Sequence, residues 1–86
     1  MKKPFKDLTV LVTGAGRGIG AAVAKRFASA GMKVVIHYFR SREGAEDVAR
    51  YCMACGAEVM TVTGDVRSRS QLEQIREILE KSGMMP

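Results

Sequence analysis

Thr13-Gly14-Ala15-Gly16-Arg17-Gly18-Ile19-Gly20 stands between an apolar run, Leu8 to Val12, and a helical pattern that opens near Gly18. Strand, glycine-rich turn and helix in that order predict a phosphate-cradling loop. Without Cβ atoms the backbone turns sharply and lets a pyrophosphate approach closely, while the first turn of the following helix presents N–H groups that have no partner within the helix. The reading therefore places a dinucleotide against Gly14, Gly16, Gly18 and Gly20.

Outward from that turn, short apolar runs alternate with helical stripes. Strands are expected at about Leu8 to Thr13, Lys33 to Tyr38 and Glu58 to Thr63, and helices at about Gly18 to Ala30, Ser41 to Cys55 and Ser70 to Ser82. Strand–helix alternation of this kind is the pattern of a parallel sheet with crossover helices. Right-handed crossovers give the order 3-2-1, so the fold class is α/β: the N-terminal half of a Rossmann doubly wound parallel sheet, truncated before strand 4, in a single partial dinucleotide-binding domain over residues 1–86. The first strand, central in a complete sheet of this type, would then have one unpaired edge open to another chain.

Several local features are expected to support this frame. Ile19, Ala22, Val23, Phe27 and Ala30 form the sheet-facing stripe of the first helix, and Leu72, Ile75, Ile78 and Leu79 that of the third. Gly31 and Gly56 stand where C-terminal caps belong. Ser68 and Gln71 have the spacing of a capping box, and Glu77 and Lys81 that of an i,i+4 pair. Gly83-Met84-Met85-Pro86 is expected to fray.

A chain of 86 residues that is 47% apolar has room for one small core. The formal charge of +5 suggests an anionic partner. Its placement narrows the choice: Arg17, Arg40, Arg42, Arg67 and Arg69 follow the expected strand ends, opposed there by Glu43 and Asp65, and this is the ligand edge of an open α/β sheet. The basic residues lack the aromatic interleaving of a nucleic-acid-binding face, and no nucleic-acid partner is expected. Met1-Lys2-Lys3 is followed by Pro4, Lys6 and Asp7, unlike a targeting segment, and no apolar run approaches the roughly 20 residues of a membrane span. A cytoplasmic protein without a membrane partner is expected. Cys52 and Cys55 form a C-x-x-C, yet both fall on the apolar stripe Ala45, Val48, Ala49, Cys52, Cys55, late in a helix and without two further ligands. They read as small core residues, and no metal site is expected.

The turn does not match G-x-G-x-x-G, because position 19 is Ile. Its spacing is T-G-x-x-x-G-x-G, and in this it resembles the short-chain dehydrogenase/reductase family. Val34 to Tyr38 resembles that family's second strand, Arg42-Glu43-Gly44-Ala45-Glu46 the start of its second helix, and Gly64-Asp65-Val66 its Asp-Val after strand three. Essentially the whole chain is similar to the family's first third, in a manner nearest to the 3-oxoacyl-[acyl-carrier-protein] reductases. The resemblance implies that Gly14, Gly18 and Gly20 form the phosphate turn, that Arg17 and Ile19 contact the cofactor near the adenine ribose and the nicotinamide, and that Asp65, with Val66 beside it, accepts a hydrogen bond from the adenine amino group. Thr13 ties the turn together.

Cofactor choice has a separate handle. An NAD-preferring site usually carries an acid at the end of the second strand to bond the ribose 2′-hydroxyl. Tyr38 stands there, and Arg17, Arg40 and Arg42 offer guanidinium groups suited to phosphate. NADP(H) is therefore expected over NAD(H), with Arg40 on the 2′-phosphate and Ser41 as a hydroxyl donor or helix cap. Histidine is the residue type suited to acid–base work at neutral pH, but His37 lies by the adenosine end, away from any reacting carbon, and is not expected to act as acid or base.

The family's catalytic Tyr and Lys, its Ser and its Asn-Asn-Ala-Gly turn are not among these 86 residues. Neither Tyr38 nor Tyr51 begins a Tyr-x-x-x-Lys. The expectation is the cofactor-binding N-terminal portion of an NADP(H)-dependent oxidoreductase acting on a carbonyl/alcohol pair, inactive alone. The alternative is a stand-alone dinucleotide-binding or interaction module, completed in trans or self-associating through the exposed first strand.

Overall fold

The computed structural model describes residues 8–16 and 18–86. Arg17 and the N-terminal stretch from Met1 to Asp7 lie outside the described residues. The elements run β1 (Thr9–Val12), α1 (Gly18–Ser29), β2 (Lys33–Tyr38), α2 (Arg42–Ala54), β3 (Val59–Thr63) and α3 (Arg69–Ser82). The three strands are parallel in the order β1-β2-β3, with Val12 paired to Ile36 and Tyr38 to Thr63 at their C-terminal ends. This is the expected 3-2-1 order read from the other edge.

Alternation along the strands divides the apolar residues between two cores. Val12, Val34, Ile36 and Tyr38 pack with Ala21, Ala24 and Ala28 of α1 and with Ala45, Val48, Ala49 and Cys52 of α2. Val35 and Val62 point to the opposite face and pack with Ile75 and Leu79 of α3. Covered on both faces, β2 is apolar at every position from Val34 to Ile36, and all three are fully buried. The chain thus changes face after β3, and because the strands are parallel all three of their C-termini lie at one edge.

The helix faces differ from those expected. In α1 the buried stripe is Ala21, Ala24 and Ala28, with Phe27 half-buried, while Ile19 is 84% exposed and Val23 also open. Alanines allow α1 to approach α2 so closely that the Cys52 thiol lies 3.7 Å from the Ala24 carbonyl oxygen, and a longer side chain does not fit in that seam. In α3, Ile75 and Leu79 are buried but Leu72 and Ile78 are exposed, because only one sheet face lies beneath the helix.

Nor does the C-terminus fray. Gly83 takes a left-handed cap, Met84 N–H donates to the Leu79 carbonyl at 3.0 Å, and the Met84 side chain is buried against Val35 and Leu79. Gly31 and Gly56 cap α1 and α2 in the same manner, as expected. The capping box forms by half: Ser68 Oγ accepts from Gln71 N–H at 3.4 Å, whereas the Gln71 side chain accepts from Asp65 N–H at 2.7 Å and does not return to Ser68. Ser68→Ala is expected to cost about 1 kcal/mol, read as a lower urea midpoint at unchanged slope. Ion pairs on α3 centre on Arg76, with Glu73 at 3.5 Å and Glu80 at 3.1 Å.

Candidate cofactor site

The β1–α1 turn is held from three sides. Ala15 is fully buried, and its N–H donates to the His37 carbonyl at 3.1 Å, fixing the turn to the end of β2. Behind it, a Cβ on Gly20 would collide with the carbonyl oxygen of Gly14, so the first turn of α1 rests directly on the loop. On the far side, a Cβ on Gly16 would come within 2.7 Å of the Ser41 Cβ, and one on Gly44 would strike the Gly16 carbonyl oxygen. Gly16 and Gly20 are therefore required by packing within the chain. Gly14 and Gly18, at φ 63° and 64°, have open space where a side chain would lie, and theirs is the surface left for an anion. No acidic residue stands in the first turn of α1 to repel one.

Gly44 is the site residue that sequence reasoning passes over, as part of a motif without a role. Its signal is legible all the same: a glycine in the body of a helix costs about 1 kcal/mol against alanine, a cost that calls for a packing reason.

A cavity of about 270 Å³ opens beside the turn, lined by Gly14, Gly16, Tyr38, Phe39, Arg40 and Ser41. Four of the expected site residues, Gly14, Gly16, Arg40 and Ser41, thus meet in one space. Ser41 precedes α2 as its N-cap, yet its side chain makes no capping hydrogen bond. Of the two roles expected for Ser41, the capping hydrogen bond is not formed, and the hydroxyl is uncommitted among the described residues. The Arg40 guanidinium lies 5.3 Å from the centre of the Phe39 ring, and Arg40 forms no ion pair among the described residues. Arg42, by contrast, is engaged with Glu46 at 3.7 Å.

Asp65 follows β3 on the same edge, and Arg67 holds it. One carboxylate oxygen accepts from the Arg67 backbone N–H at 2.9 Å and from its Nε at 3.0 Å, and the other accepts from the guanidinium at 3.0 Å. These bonds from Arg67 keep the Asp65 carboxyl below the usual carboxylate range, and the charge of Arg40 adds to the effect. A depressed value in the folded state means that the contribution of this link to stability is complete above the unfolded value and disappears as pH falls through the folded one. Arg67→Gln is expected to move the Asp65 titration midpoint up toward the ordinary carboxylate value, measured by carboxyl-carbon NMR. An unmoved midpoint would contradict the assignment. Ile19 and Val66 are both exposed on the ligand edge.

The C-x-x-C residues are separate from this edge. Cys52 is buried and Cys55 partly so, both are free thiols, and burial pushes the Cys52 thiol up, away from the reactive thiolate.

The family model for short chain dehydrogenases matches residues 8–84. This chain belongs to the short-chain dehydrogenases. Among curated relatives, versicolorin reductase 1 of Aspergillus parasiticus is 50% identical over 56 residues, 65% of this chain and 21% of that protein. The 3-oxoacyl-[acyl-carrier-protein] reductase of Synechocystis is 42% identical over 65 residues, 76% of this chain and 26% of that protein. The short chain dehydrogenase of Claviceps purpurea is 43% identical over 72 residues, 84% of this chain and 26% of that protein. This short-chain dehydrogenase sequence thus spans about a quarter of the length of the relatives it matches. In fold, it superposes on the crystal structure of acetoin dehydrogenase YohF from Salmonella typhimurium with a TM-score of 0.80 at 23% identity, covering 88% of this chain and 30% of that one. The family binds a nicotinamide dinucleotide. Within the described residues of this short-chain dehydrogenase, no helix is long and apolar enough to cross a membrane.

Proposed function

We propose that these residues are the cofactor-binding portion of a cytoplasmic, NADP(H)-dependent oxidoreductase acting on a carbonyl/alcohol pair. The observation that carries the reading is the cavity joining the glycine turn to Arg40 and the uncommitted Ser41 hydroxyl, with Tyr38 at the strand end where an acid would serve the 2′-hydroxyl of NAD. Gly14 and Gly18, with the first N–H groups of α1, hold the diphosphate. Arg40 and Ser41 hold the 2′-phosphate, and Asp65 and Val66 border the adenine. Arg17 and Ile19 complete the contacts toward the ribose and the nicotinamide. A bound nicotinamide would supply or accept hydride, and the accompanying proton relay would need the family's catalytic Ser, Tyr and Lys, which are not among these 86 residues. NADPH is expected to bind the isolated 86 residues more tightly than NADH by calorimetry, with no turnover of a generic ketone or oxoacyl thioester. Equal affinity for the two nucleotides removes the NADP assignment, and measurable turnover removes the dependence on further residues.

One observation favours a second reading, completion by another chain. Among the described residues β1 is paired on one side only, and beside it Leu11, Leu72, Met85 and Pro86 border an apolar cavity of about 260 Å³. A partner strand added at β1 would cover both the free backbone edge and that cavity. Sedimentation of the purified chain separates the cases: a monomer at micromolar concentration excludes self-association through this edge.

A further inference from the structure

His37 is the one polar residue buried among the described residues, 95% buried in the central strand, with its ring on the α3 face beside Val35. A valine or leucine would satisfy that position as hydrocarbon. The imidazole instead makes one directed bond at the cost of one orphaned atom. Nε2 lies 2.8 Å from the Gly64 carbonyl oxygen, and because a carbonyl only accepts, Nε2 carries the hydrogen. Nδ1 is left buried without a partner among the described residues.

The two ends of this one residue reach two different turns. Its backbone carbonyl accepts from Ala15 N–H, inside the phosphate turn. Its ring holds Gly64, one residue beyond the last ladder pair of β3 and immediately before Asp65. From there the connection continues through Asp65, whose N–H donates to Gln71 Oε1 and whose carbonyl accepts from Ser68 N–H at 2.9 Å. Among the described residues no other hydrogen bond connects the diphosphate-side turn after β1 with the adenine-side turn after β3.

We propose that His37 is a positioning residue that locks these two turns into one preformed edge, so that a dinucleotide meets both halves of its site already in register. The ligand part of this proposal rests on the dinucleotide reading above, whereas the lock itself is a property of the free chain.

Nitrogen NMR of the unliganded chain tests the geometry first: the hydrogen is expected on Nε2, and a ring protonated on Nδ1 alone overturns the proposal. Amide exchange tests the coupling. In His37→Met, of similar bulk but without a donor, the Ala15 and Ser68 amides are expected to exchange about tenfold faster, the effect of losing one buried bond, while His37→Gln, which keeps a terminal donor, stays within about threefold of the parent. Exchange raised at Ser68 but not at Ala15, or at neither, overturns the lock. Should His37→Met not fold, His37→Leu held folded by osmolyte takes its place beside His37→Gln. Both amides losing protection in the leucine variant and keeping it in the glutamine variant supports the lock, and equal protection in the two overturns it.

Binding supplies the last arm. With NADPH, adenosine 2′,5′-bisphosphate and nicotinamide mononucleotide as probes, His37→Met is expected to lose more affinity for NADPH than the product of its losses for the two fragments. Losses that simply multiply overturn the coupling. A parent chain that binds no NADPH removes the dinucleotide reading, and the exchange result still decides the lock.

Discussion

Arg40→Ala is expected to weaken NADPH binding by about tenfold to a hundredfold and to leave NADH within about twofold. The magnitude is that of a charge-assisted hydrogen bond to phosphate, roughly 1.5–3 kcal/mol, at 1.4 kcal/mol per factor of ten. The selectivity follows from position. Arg40 lines the cavity at the end of β2 with Ser41, stacks on Phe39 and is not engaged by a carboxylate among the described residues, whereas Arg42 and Arg67 are held by Glu46 and Asp65. Arg40→Lys should recover only part of the loss, since an ammonium offers a point charge and no planar fork. Paired calorimetric titrations decide the matter, and an unchanged NADPH-to-NADH ratio in Arg40→Ala would take the 2′-phosphate away from this residue.

Gly44→Ala sets two effects of opposite sign against each other. By helix propensity alone, alanine in the first turns of α2 would stabilise the chain by as much as about 1 kcal/mol. The added methyl would, however, meet the Gly16 carbonyl oxygen, and both contacting parts are backbone, so no side chain can swing aside. Overpacking of this kind costs about 1–3 kcal/mol, a large share of what a small domain possesses. The clash is expected to win. Urea denaturation should show a lower midpoint, and nucleotide affinity should fall as well, because the displaced atom belongs to the phosphate turn. A stabilised Gly44→Ala would mean that α2 does not press on that turn.

Much of the architecture is legible in the sequence because it depends on periodicity. The second strand falls on its expected bounds, Lys33 to Tyr38, and the three helices lie within a residue or two of theirs. The helix faces are less legible. Ile19 and Val23 fit a helical stripe as well as Ala21, Ala24 and Ala28 do, and hydrophobicity ranks them higher, yet the distance between α1 and α2 admits only the smaller set. Met84 escapes a sequence reading for a related reason: its burial depends on where the left-handed cap at Gly83 sends the chain, which no local pattern encodes.

The candidate site divides in the same way. Glycines after an apolar run, a strand that ends in Tyr38 and not in an acid, and arginines clustered beyond the strand ends are all sequence properties, and they determined by themselves the class of fold, the kind of ligand and the edge on which it is sought. Which glycines are required by packing and which face open space, that the Ser41 hydroxyl is not consumed as a cap, that Asp65 is already gripped by Arg67, and that His37 spans two turns were decided only by the tertiary structure. The physical reason is that residue type and spacing fix local backbone preference, whereas each of these outcomes turns on which atoms from distant segments come within about 3 Å of one another, a matter of packing geometry.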